Sequence, residues 1–192
     1  DFPELSMSPA ADGEIPLGNP YSFSGTPFVA AMQSPIFYPL NVLFLLFDTA
    51  FAINLSVALH CFLGSLFTFL FARYMDLGRP AAVLSAITFA YGAPYFLHIY
   101  PGHLSNLSTM VWLPLIFMGI EAFLRHRKIR YAVLSGIPLA MQVFAGHAQY
   151  LFYSAIAVSL YFLLSLLFGK QFAKAPYYLA GFCLFALTGI AL

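Results

Sequence analysis

The stretch 48-DTAFAINLSVALHCFLGSLFTFLFAR-73 decides the fold: 26 residues with an acid at its head, an arginine at its foot and few polar groups between. As a helix it rises about 39 Å, enough to cross a bilayer's hydrocarbon core with some tilt. Apolar runs of similar kind follow it to the end of the chain, at 80–100, 104–125, 129–146, 148–169 and 175–192. The pattern predicts an all-α, polytopic membrane protein with about six spans over residues 48–192. The run at 80–100 should kink near Gly92 and Pro94.

Composition agrees. The chain is 61% hydrophobic, 18% aromatic and only 8% charged, with a mean hydropathy of +0.85, outside the range of ordinary soluble domains. A net charge of +1, with basic residues scattered in short clusters, leaves no nucleic-acid footprint. Cys61 and Cys183 both lie inside apolar runs and read as free core thiols rather than as a disulfide or metal framework. The chain opens at Asp1 rather than Met and stops at Leu192 within an apolar run. It is therefore expected to be a piece of a longer protein, with further helices upstream and downstream.

Residues 1–47 differ. Positions 1–35 are rich in Pro, Ser, Gly and Ala, hold four of the seven acids and carry no sustained helical period, so they read as a long loop. The segment 34-SPIFYPLNVLFLLF-47 is apolar but short and holds Pro39, which suits an interfacial or re-entrant helix.

The basic residues set the orientation. Arg73 and Arg79 flank one turn, Arg125, Arg127, Lys128 and Arg130 fill the next alternate loop, and Lys170 and Lys174 the one after. All eight therefore fall on one side, which the positive-inside rule makes cytoplasmic. The opposite loops, 100-YPGHLSN-106, 145-AGHAQ-149 and the long N-terminal segment, hold no Lys or Arg and are expected outside.

The predicted spans carry no mid-membrane Asp, Glu, Lys or Arg, which counts against ion coupling. Glu121 and Arg125 form an i,i+4 pair at the basic end, and Asp76 reads as a solvated turn acid. His60 and Gln142 are the strongly polar mid-span groups, and their expected role is hydrogen bonding between helices. The outer face gathers Asp1, Glu4, Asp12, Glu14 and Asp48 with His98, His103 and His147, beside Asn19, Gln33, Asn106 and Gln149. Such a rim suits polyhydroxylated substrates. It would also suit a divalent cation, although no ligand spacing within one element supports one. The NLS triplets at Asn54 and Asn106 match a glycosylation acceptor only formally, since one lies in a span and the other against one.

Four segments together, 13-GEIPLGNPYSFSGTPF-28, 33-QSPIFYPLNVLFLLF-47, 102-GHLSNLSTMVWLPL-115 and 145-AGHAQ-149, resemble the YfhO family of bacterial membrane proteins, which are similar to GT-C glycosyltransferases. The resemblance runs over essentially the whole chain in order. Two positions depart from it: Gly18 stands where the family has Trp, and Ala148 where it has Pro. The resemblance implies a multi-pass protein of the bacterial inner membrane, with residues 1–47 extracytoplasmic. It implies a sugar transferred from a polyprenyl-phosphate donor to a cell-surface polymer or lipid, with inversion. The catalytic acid of the first external loop would be Asp1, with Asp12 or Glu14 as alternatives. Asn19, Tyr21, Gln33, His103, His147 and Gln149 would line the substrate site. A carboxylate can take the acceptor hydroxyl's proton as that oxygen attacks the anomeric carbon. The leaving group is already a phosphate, so no second carboxylate is compulsory. A transporter or flippase of lipid-linked material, or a non-catalytic membrane scaffold, fits the same composition.

Overall fold

The computed structural model describes residues 18–19, 26–27, 35, 37–92, 97–169 and 174–192. Among them the protein is all-helical, apart from one antiparallel pair of two-residue strands, β1 (Gly18–Asn19) and β2 (Thr26–Pro27), with Gly18 opposite Pro27 and Asn19 opposite Thr26. A 3₁₀ turn at Pro39–Val42 runs into α1 (Leu43–Leu46), a single helical turn. Six longer helices follow with one short one: α2 (Thr49–Tyr74), α3 (Arg79–Tyr91), the short α4 (Leu104–Met110), α5 (Leu113–His126), α6 (Ile129–Phe144), α7 (Ala148–Phe168) and α8 (Ala175–Ala191).

Among the described residues, three helical stretches are long and apolar enough to cross a membrane: α2, the α4–α5 pair taken together over Leu104–His126, and α7. The remaining apolar helices, α3, α6 and α8, have 13, 16 and 17 residues. α3 stops where Gly92 turns to extended backbone at ψ 164. Asp48 opens α2 as its N-cap, its carboxylate accepting from Phe51 N–H at 3.1 Å, which satisfies one free donor of the first turn. α4 and α5 separate because Pro114, in the first turn of α5, has no N–H to offer the Met110 carbonyl.

Small residues set the closest approaches. On α2, Ala52, Ser56, His60 and Gly64 are buried at spacings of four. They form a ridge beside α3, whose buried positions Ala82, Ala86 and Ala90 repeat the same spacing. α6 and α8 approach through glycines: a Cβ at Gly136 would strike Thr188, and one at Gly189 would strike Leu139. The main core joins Ile116, Ile120 and Phe123 of α5 to Val158 and Phe162 of α7 and to Tyr178 and Phe185 of α8.

One end of the bundle carries the basic residues. There Arg125 bonds Glu121 at 2.6 Å, as the i,i+4 spacing indicates. It also reaches Asp76 at 3.2 Å and the Tyr74 carbonyl at 3.2 Å. Asp76, in a connection whose backbone is left-handed there (φ 63), remains largely solvated, as expected, and adds this exposed ion pair. Tyr161 donates to the other Glu121 oxygen at 2.5 Å and ties α7 to the same clasp.

Candidate functional site

The opposite end is a histidine end, built by two similar turns. Gly102 (φ 75) and Gly146 (φ 72) both hold left-handed backbone that an L side chain adopts only with strain, and each precedes a histidine at the start of a helix. His103 takes the N-cap position of α4 and His147 that of α7, where its Nδ1 accepts from Tyr150 N–H at 3.3 Å. His98, from the connection between α3 and α4, lies between them. Its Nδ1 is 3.0 Å from Asn106 Nδ2 and 3.4 Å from His103 Nδ1, and its Nε2 is 2.6 Å from the Tyr150 hydroxyl.

One proton order satisfies these contacts. With Asn106 Nδ2 donating, His98 Nδ1 is unprotonated, His98 Nε2–H donates to Tyr150, and the phenol proton is left for a further acceptor. Burial, then the neighbouring His103, holds His98 below the usual imidazole range. His147 is lowered first by burial as well, with His98 and His103 adding to the effect against an opposing backbone hydrogen bond. Both effects favour the uncharged rings of His98 and His147, which keep hydrogen bonds to give and accept. Among the described residues no group of three or more His, Cys, Asp or Glu is arranged to hold a metal ion.

Below this cluster lies a second polar chain. Tyr38, 1% exposed, accepts from Trp112 Nε1 at 3.1 Å and lies 2.9 Å from His60 Nε2. His60 Nδ1 donates to the Ser56 carbonyl at 2.7 Å, so Nε2 is the acceptor and Tyr38 the donor. Tyr38 therefore pins the segment before α1 to α2 and to the α4–α5 junction, a few residues along from Asn106. Gln142, fully buried, donates from Nε2 to the Thr109 carbonyl at 2.9 Å and to Ser154 Oγ at 3.1 Å. It links α6 to α4 and α7, as expected of a mid-span amide.

Of the residues the sequence nominated, His103 and His147 are brought into one cluster. Gln149 stands beside it on the exposed first turn of α7, donating to Tyr153 at 2.7 Å. Asn19 lies in β1, opposite Thr26. Asp1, Asp12, Glu14, Tyr21 and Gln33 lie outside the described residues. Sequence reasoning gave no role to Tyr150 or Tyr38. Tyr150 meets His98 across 52 positions, and the one local hint was its place three residues after the His147 turn. Asn54, in the first NLS triplet, spends its amide on the Ala50 carbonyl at 3.0 Å.

Searches against protein-family models, curated proteins and solved structures find no match to the chain.

Proposed function

We propose that this protein is a GT-C-like membrane glycosyltransferase of a bacterial inner membrane, crossing it six times in this segment, with the basic end cytoplasmic and the histidine end outside. The observation that carries the reading is the convergence of His98, His103, Asn106, His147 and Tyr150 at the end free of Lys and Arg, beside the point where Tyr38 anchors the loop segment. The donor is a polyprenyl-phosphate sugar. The acceptor hydroxyl attacks the anomeric carbon, the bond to the phosphate breaks, and polyprenyl phosphate leaves with its electron pair. Asp1, or in its place Asp12 or Glu14, takes the acceptor's proton, while the imidazoles and the Tyr150 phenol hold sugar hydroxyls or phosphate oxygens. The sequence resemblance supports the class of enzyme, and the polar cluster supports its location at the histidine end.

A lipid-handling protein without transferase activity is the second reading. It is favoured by an apolar crevice of about 380 Å³ between α6, α7 and α8, lined by Leu139, Val143, Phe152 and Phe185 and starting at Ala148, next to His147. Such a crevice accommodates a hydrocarbon chain in either reading. The two separate on full-length protein given radiolabelled polyprenyl-phosphate sugar. Transfer to a cell-envelope acceptor, lost in Asp1→Asn, supports the enzyme; translocation of the donor with no transfer supports the alternative.

A further inference from the structure

At the basic end, the α5–α6 turn and the start of α8 meet. Tyr177 donates to the Arg127 carbonyl at 2.8 Å and its ring lies 5.9 Å from that of Phe123. This contact brings Lys174, the N-cap residue of α8, to the corner that holds Arg127, Lys128 and Arg130. All four cations are exposed. Among the described residues the acids at this end are Asp76 and Glu121, and Arg125 engages both. The four cations have no carboxylate within ion-pair distance among the described residues. Arg130 instead lies over the Tyr131 ring at 5.0 Å and donates to its hydroxyl at 3.2 Å.

Local electrostatics favour an anion at this corner. α6 and α8 both begin at this corner with no side-chain cap and no acid in the first turn. Their free N–H groups add positive potential to the cations beside them, the reverse of the usual helix preference. The corner is also rimmed by exposed apolar surface: Ile129 is 38% exposed, Leu134 55% and Leu179 47%. Cations at a helix boundary with apolar residues directly beside them match a phosphate whose own hydrocarbon chains run along the bundle.

We infer that Arg127, Lys128, Arg130 and Lys174 form a binding site for the headgroup phosphate of an anionic phospholipid. The phosphate lies against the cations and the two helix starts, and the acyl chains lie along Ile129, Leu134 and Leu179. The site is at the end opposite the histidine cluster, so its occupancy is separate from the proposed transfer chemistry.

The test is native mass spectrometry of purified full-length protein, offered phosphatidylglycerol and phosphatidylcholine of matched chains. Wild type should retain phosphatidylglycerol preferentially. Lys128→Gln/Arg130→Gln should cut that retention by about 25-fold, at roughly fivefold per neutralised charge near a membrane surface. Arg79→Gln, an exposed cation on a different turn, should leave it unchanged, and Lys128→Arg/Arg130→Lys should preserve it with an unaltered melting temperature. Equal retention of the two lipids by wild type, wild-type retention by the neutralised variant, or the same loss in Arg79→Gln overturns the site. Full displacement of the lipid by millimolar inorganic phosphate overturns its assignment to a phospholipid.

Discussion

The Tyr38 hydroxyl sits 2.9 Å from His60 Nε2, and this contact fastens the segment preceding the bundle to the middle of its longest helix. Trp112 completes the bond set by donating to the same oxygen at 3.1 Å. Tyr38→Phe removes the oxygen and leaves a buried ring nitrogen and a partly buried indole N–H without their partner. The expected cost is about 1–3 kcal/mol, read as a lower unfolding midpoint in detergent. A cycle with His60→Phe should be non-additive, since the two side chains share one bond. Additive losses, or no loss from Tyr38→Phe, would show the contact to be incidental.

Helix packing gives a second expectation. A methyl at Gly136 meets Thr188, and one at Gly181 meets Phe123, while one at Gly78 has nothing nearer than Pro80 Cδ at 3.9 Å. Gly136→Ala and Gly181→Ala should each destabilise by about 1–3 kcal/mol through overpacking, and Gly78→Ala should change little. The ranking of three melting temperatures checks it. A stable Gly136→Ala variant would mean that α6 and α8 are not in the contact described.

Stability should fall on acidification below neutrality. His98, facing His103, Asn106 and Tyr150, and His147, facing Tyr150 with His98 and His103 nearby, are both held below their ordinary values by burial first. The unfolded chain takes up protons at these sites from about pH 6.5 downward, while the folded chain resists until lower pH. Their contribution is thus complete above about pH 6.5 and is lost as pH drops through the folded values. Melting at pH 7.5 and pH 5.0 should show the loss in wild type and a smaller one in His98→Gln/His147→Asn, where Asn keeps the α7 cap. An identical loss in both proteins would place the titrating groups elsewhere.

The long spans were legible because hydropathy over twenty residues is a collective signal that no single substitution hides. Glu121–Arg125 was legible for a related reason, since one helical turn fixes the partner. His60 and Gln142 were assigned bonds between segments because an apolar setting leaves them little else to do, but their partners could not be named. Tyr38 and Tyr150 meet theirs across 22 and 52 positions, and nothing local marks such distances. Asp76 read as solvated and is largely so; what local sequence could not show was its arginine partner 49 positions away. Between the paired glycines and histidines, only the histidines drew attention, although the positive φ of Gly102 and Gly146 is what aims them.

Orientation is open to direct labelling. In a Cys61→Ala/Cys183→Ala background, Tyr100→Cys, at a position 94% exposed at the histidine end, should react with an impermeant thiol reagent on intact cells. Arg127→Cys should react only after permeabilisation, because the seven described basic residues lie at its end. The reverse pattern would invert the protein and place the histidine cluster inside the cell.

The most direct measurement of the central claim, that chemistry takes place at the histidine end, is turnover of full-length protein with a labelled polyprenyl-phosphate sugar across single histidine variants. His98→Ala and His103→Ala should lower transfer by about tenfold to a hundredfold through lost positioning of the reacting groups, with folding intact. His126→Ala, at the basic end beside Tyr131, should retain it. Full transfer by both His98→Ala and His103→Ala, or an equal loss in His126→Ala, would contradict the assignment of the site.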